Sequence, residues 1–197
     1  MRAQAHTLEA FVAAALIIGG LVFATQATAV TPLSASTSNQ HIENQQEATI
    51  QGLLATSAEN GDLQEAVLYW NPENGTFAGV PEQGVFVQSG PPNAFGEALN
   101  ESLLDRRIAF NVEVRYHEPD GDTSVQRMVV QGTPSDNAVS ATRTVGIYNS
   151  SNLTAPGYTD RTLEDVADEP GEEFYAENIG EDQLYNVVEV RVIAWRK

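Results

Sequence analysis

One carboxylate stands at the head of an apolar run: Glu9, followed by Ala10 to Ala24 without another charge. A carboxylate deep in an apolar medium costs roughly 2.5–3.5 kcal/mol, and less near its edge. Two chemistries fit Glu9. At the start of a helix it stays shallow and interacts favourably with the positive end of the helix dipole. As a buried acid it calls for a cationic partner, such as the amino terminus of a neighbouring subunit, which makes Glu9 the candidate subunit-packing residue. Asp120, Gly121 and Asp122, with Glu118 nearby, offer hard oxygens to a calcium ion. They lack the length and terminal glutamate of an EF-hand loop, and Asp-Gly is ordinary hairpin-turn chemistry, so a turn is expected. Glu164 to Asp182 is rich in carboxylates and has no base. It suits divalent cations, a basic partner or a solvated loop, and the loop is the simplest of these. His6, His41 and His117 fall in separate segments without ligand spacing, so no metal site is expected.

Asn74-Gly75-Thr76, Asn100-Glu101-Ser102, Asn149-Ser150-Ser151 and Asn152-Leu153-Thr154 match the N-glycosylation sequon. Asn74, Asn149 and Asn152 lie in expected loops and are the candidate glycosylation sites; Asn100 falls in an expected helix. No serine or threonine sits in a nucleophile motif, no glycine loop cradles phosphate, and no paired carboxylates stand out from the acidic background. Neither a catalytic residue nor a cofactor is expected, and the chain is read as not an enzyme.

The elements that would position these groups begin with Leu8–Val30. Twenty-three residues at about 1.5 Å each reach roughly 35 Å, enough for a hydrocarbon core of about 30 Å. The strongest part, Ala10 to Ala24, is short for this, so Thr25 to Val30 would lie at the interface. Arg2 is the only basic residue ahead of the run and the next is Arg106, which puts the N-terminus in the cytoplasm. A cleavable secretory signal competes with this reading, since Ala27-Thr28-Ala29 has the small-x-small pattern of a cleavage site. Glu9, where a signal peptide is neutral or basic, weighs for a retained anchor. The lipid bilayer, met through Leu8–Val30, is then a partner.

Thr31-Pro32 interrupts or kinks the helix, and Thr31 to Asn39 reads as a polar joint. A stalk helix follows to Ser57 or Ala58, stopped by Asn60-Gly61. From Asp62 the pattern shifts to period two. Strands are expected over Ala66–Trp70 and Thr76–Val80 around a turn at Asn71–Gly75, with a short one at Val85–Gln88. Asn93–Asp105 reads as a helix. Ile108, Phe110, Val112, Val114 and Tyr116 alternate with polar neighbours, giving a strand with one buried face. Ser124–Gln131 returns as its hairpin partner, Val139–Tyr148 is a further strand, and Leu184–Trp195 is apolar enough for the sheet interior. The expected fold is α+β: a long N-terminal transmembrane and stalk helix, then an antiparallel β-sheet domain with one or two packed helices. Residues 1–7 form a cytoplasmic stub or short leader, 8–30 the transmembrane helix, 31–61 the stalk linker and helix, and 62–197 an extracellular acidic β-rich domain.

Ten basic residues face 27 acidic ones, for a net charge of −17, and the one lysine is Lys197. Such a surface repels phosphate backbones, so nucleic acid is excluded as a partner. The charge reads either as a cation-binding surface or as adaptation to high salt, and arginine retained without lysine fits the second. Absence of cysteine removes disulfides and thiolate chemistry together.

The opening Arg2-Ala3-Gln4-Ala5-His6-Thr7-Leu8-Glu9-Ala10-Phe11, followed by an apolar helix, resembles the class III signal region of type IV pilin-like proteins. In that family a prepilin peptidase cuts before the apolar helix, which stays as anchor and filament core. The family's glutamate at the fifth mature position neutralises a neighbour's amino terminus. A cut after Ala3 makes Glu9 the sixth residue here; a cut after Gln4 makes it the fifth. With the acidic composition and the closing Leu184–Arg196, the chain resembles a group of haloarchaeal membrane proteins with pilin-like N-termini, to which no activity attaches. The resemblance implies a pilin-like fold, a place at the cell surface, and sister or other pilin-like subunits as partners. The expected function is a membrane-anchored structural or interaction protein of the archaeal cell surface. The alternative is a monomeric membrane-tethered extracellular module that binds a cation, glycan or protein.

Overall fold

A computed structural model describes the backbone of residues 2–27, 31–180 and 183–196, and the side chains of 9–23, 40–180 and 183–196. Two compact units divide the chain, Met1–Ile42 and Glu43–Lys197. The first holds helix α1, Arg2–Ala27, and the start of helix α2, Thr31–Asn60. The alanine- and leucine-rich run of α1 contains no proline to break it. Pro32 lies in the first turn of α2, where its missing N–H is no loss, so Thr31 to Asn39 is helical rather than a joint.

The expectation of a transmembrane helix over Leu8–Val30 is corrected here. Among the described residues no helix is long and apolar enough to cross a membrane. The strongly apolar run, Ala10 to Ala24, is fifteen residues long, which at 1.5 Å per residue is about 22 Å against a core of about 30 Å. Of the Thr25–Val30 stretch that was to complete the span, and of the Ala27-Thr28-Ala29 cleavage pattern within it, residues 28–30 lie outside the described residues. The single-pass topology, with residues 1–7 inside and residues 62–197 outside, loses the span that it required. The transmembrane part of the expected fold class and the cell-membrane location fall with it.

The second unit is α+β. Gly61, in the left-handed conformation with φ 88°, turns the chain from α2 into α3, Asp62–Val67. Leu63, Ala66 and Val67 are buried at helical spacing, so the strand expected over Ala66–Trp70 shrinks to β1, Trp70–Asn71, paired with β2, Thr76–Phe77. Asn93 caps α4, Ala94–Ser102, by accepting the Gly96 N–H. Gly96 admits no side chain, because a Cβ there would lie 1.8 Å from the Pro91 carbonyl oxygen.

Four antiparallel strands make the main sheet in the order β4–β3–β6–β5. They are β3 (Ile108–His117), β4 (Thr123–Val130), β5 (Val139–Tyr148) and β6 (Leu184–Arg196). The most apolar strand, β6, takes an inner place between β3 and β5. One face of the sheet buries Phe110, Val112, Val114, Val188, Val190 and Val192. Against it pack Ile50 and Leu54 of α2, Leu63 of α3, Phe95 and Leu99 of α4, and Leu163 and Val166 of α5, Leu163–Asp168. Each such side chain contributes about 1.5–3 kcal/mol by leaving water. Phe86 stands in place of the expected strand at Val85–Gln88, bridging to Val129 at the edge of β4. The expected loop after Glu164 instead opens as α5, whose start is fixed by a capping box between Thr162 and Asp165.

Candidate functional site

Three surfaces hold side chains that can do chemistry or make contacts. The first is α1. Phe11, Val12, Leu16, Ile17, Ile18, Leu21, Val22 and Phe23 are each between 48% and 76% exposed. At about 100° per residue they point to all sides of the helix, so among residues 10–23 no face is polar. Glu9 lies at the head of this run, within one turn of Phe11 and Val12, and is exposed.

The second surface is the outer face of the main sheet. The register sets Arg127, Glu113 and Arg191 side by side on β4, β3 and β6, and sets Val125, Arg115 and Glu189 in a neighbouring row. Arg115 pairs with Glu189 at 3.7 Å, and Arg191 with Glu113 at 4.0 Å. Both pairs are partly solvated and worth little to stability. The inner and outer faces thus share three strands and differ in everything their side chains do.

The third is a groove under the edge of β4, lined by Trp70, Phe174, Tyr175, Tyr185, Glu173 and Glu177 among others. Trp70 meets Phe77, Phe174 and Tyr175 edge-on, with ring centroids 5.1–6.2 Å apart. Its indole N–H donates to the Glu173 carbonyl at 2.7 Å, and the Tyr175 hydroxyl donates to the Val67 carbonyl at 3.2 Å. Burial holds the Tyr175 hydroxyl well above its usual titration range, helped by Tyr116 and Tyr185. Burial also raises Tyr185, with Glu177 adding to it. Tyr116 rises by burial too, against a lowering hydrogen bond with Ser124. These tyrosines therefore keep their protons at neutral pH and act as packing and donor groups. Glu172 at the rim is held by Arg161 at 2.9–3.1 Å. Asn186, fully buried on β6, ties the region together by donating to the carbonyls of His117 and Glu177.

The residues singled out in the sequence do not converge. Asn74 is exposed in the β1–β2 turn, where its backbone N–H bonds the Asn71 side chain. Asn149 accepts from Asn178 at 3.1 Å, and the Asn152 amide nitrogen donates to the Thr159 carbonyl at 3.0 Å. Asn100, on α4, accepts the Gly90 N–H. Asp120 and Asp122 sit in the β3–β4 turn, the Asp122 N–H bonding the Asp120 carboxylate. Of the acidic run, Glu181 and Asp182 lie outside the described residues. His41 is on α2 and His117 at the end of β3; the side chain of His6 is outside the described set. No group of three or more histidines or carboxylates placed to hold a metal occurs among the described residues. The aromatic groove had no signal in the sequence, since its residues come from positions as far apart as 70 and 185. The arginine row had a partial one: Glu113 and Arg115 alternate on the wet side of their strand.

Comparison with known families gives one match. A model described as "Family of unknown function (DUF7288)" covers residues 2–194. The chain belongs to that family. The match takes in α1 as well as the sheet, so both units are part of what the family shares. No curated protein and no solved structure matches the chain.

Proposed function

We propose that this member of the family is a pilin-like structural or interaction protein without catalytic activity, whose apolar N-terminal helix packs laterally against the same helix of sister subunits. The observation that carries the reading is the exposure of large apolar side chains on every side of α1. A helix apolar all round is stable only where neighbours cover it, and at about 25 cal/mol per Å² each covered side chain favours association. Several neighbours are needed to cover all sides, which points to a bundle rather than a pair. Within such a bundle Glu9 needs a cationic partner, because an unpaired buried carboxylate costs several kcal/mol. The acidic, lysine-poor composition fits assembly in concentrated salt.

A photo-crosslinking residue at Leu16 in the full chain, expressed in its native host, tests this. The expected result is a ladder in steps of about 21.3 kDa, reduced by Glu9→Gln. Adducts to lipid alone, or none, would overturn the reading. So would a mature chain beginning at Val30, which lacks the helix.

A second reading, a monomeric binding module, draws on the groove with its aromatic floor and Glu173 and Glu177 at the rim. Titrating calcium into a Trp195→Phe chain while following Trp70 fluorescence tests its cation branch. A flat response removes that branch.

A further inference from the structure

We propose that the arginine-bearing outer face of the sheet receives the acidic segment Leu163–Glu177 of a second copy of this chain. The inference rests on the assembly reading above and adds to it a contact between the β-sheet units.

The chain has few bases to spend, ten against 27 acids, yet Arg115, Arg127 and Arg191 gather around one open depression with Glu113 and Val125. With Glu189 counted, three arginines face two glutamates, so this patch is positive in a chain of net charge −17. Its cations are under-used. The two ion pairs stand at 3.7 and 4.0 Å, beyond hydrogen-bond length. The buried Nε of Arg115 has no acceptor. Arg191 donates to Ser140 at 3.3 Å, and Arg127, which is exposed, has no ion pair among the described residues. Guanidinium forks with free N–H groups match carboxylates, and an acidic peptide supplies them in a row.

The chain itself carries such a peptide. Glu164, Asp168, Glu169, Glu173 and Glu177 are exposed, with no base among them. Leu163 and Val166 of this segment join the core on the inner face of the sheet, so α5 lies on the side opposite the arginines. Acid and base patches cannot meet within one chain; they can meet only between two. Because the patches differ, the contact is heterologous and adds copy to copy, building a ring where the rotation closes and a filament where it does not.

Absence of cysteine makes disulfide trapping clean. The full chain carrying both V125C and E169C is oxidised under native salt and run without reductant. A ladder of disulfide-linked multimers is expected, with each single variant remaining monomeric. Adding Arg127→Glu should cut the ladder at least tenfold without changing the melting temperature, and Glu164→Lys with Asp168→Lys should restore part of it. No ladder, or dimers from V125C alone (the mark of two sheets packing face to face), would overturn the proposal. The Leu16 crosslink separates the two ideas. Helix crosslinks without a cysteine ladder sink this contact and leave the helix bundle standing. A cysteine ladder without helix crosslinks does the reverse.

Discussion

Two stretches of this chain are about equally rich in large apolar residues and meet opposite fates. In α1, residues 9–23 leave Phe11 and Phe23 about three-quarters exposed. In β3, Phe110, Val112 and Val114 are fully buried. The difference is period. The strand alternates, so one face turns to the core and the other to water, and a single unit can satisfy both. The α1 run has no polar side to present, and whatever covers it must come in from all directions. Hydrophobicity measures what needs cover, while pattern decides whether the same domain can provide it.

Mutating one phenylalanine in each stretch sharpens the contrast, and the strand gives the largest effect. Phe110→Ala should lower the stability of the sheet unit by about 3–5 kcal/mol in denaturant unfolding. A loss below about 1 kcal/mol would mean that the inner face is not a packed core. Next comes Tyr175→Phe, which removes the hydroxyl bonded to Val67 at a cost of about 1 kcal/mol. It also tests alkaline behaviour. An unfolded tyrosine loses its proton near pH 10.0, and burial holds folded Tyr175 well above that. Stability is therefore complete below pH 10 and falls as the pH climbs towards the folded value, because only the unfolded chain gains by ionising. Melting curves from pH 8 to 11 should fall less steeply at the alkaline end for the phenylalanine chain.

Thr162→Ala, read by thermal melting, should cost about 1 kcal/mol through loss of the α5 cap. Hydrogen bonds from the backbone and side chain of Thr162 hold the Asp165 carboxyl below its usual range. This contribution is present above the ordinary aspartate pKa and fades as the pH falls through the folded value. The alanine chain should therefore show a shallower acid limb. The smallest effect belongs to the other member of the pair. Phe11→Ala, on the exposed helix, should change the melting of the sheet unit by less than about 0.5 kcal/mol, and its consequence should appear only in crosslinking. A large shift in melting would erase the contrast between the two stretches.

What could be read in advance follows the same logic. Ile108 to Tyr116 alternates without interruption, and β3 runs there; Val139 to Tyr148 is β5. The apolar Val188, Val190 and Val192 belong to an inner strand because they need neighbours on both sides. Short apolar runs carry no such information. Ala66 to Trp70 fits strand or helix equally well, and Leu63 packing with Ala66 and Val67 decided for α3. The helix α5 escaped because its capping box uses Asp165 where glutamate or glutamine is the usual sign. Reading Leu8–Val30 as a span rested on extending a fifteen-residue apolar run, Ala10 to Ala24, through Thr25, Gln26 and Thr28, whose polar groups do not favour a hydrocarbon core. For the candidate sites, sequons and turns were visible because they are local. The aromatic groove and the three arginines were not, because a strand's partners and register are tertiary facts.

The place of β6 bears on how the molecule is made. β3 and β5 never pair with each other; each leans on a strand that begins only at Leu184. On the ribosome, the β3–β4 hairpin can close early, but β5 has to wait with an unzipped edge while some thirty-five further residues emerge. Sheet pairing between distant segments is slow, and exposed strand edges in a nascent chain invite wrong partners. Only when translation reaches β6 can β5 join β3 and β4 in one sheet.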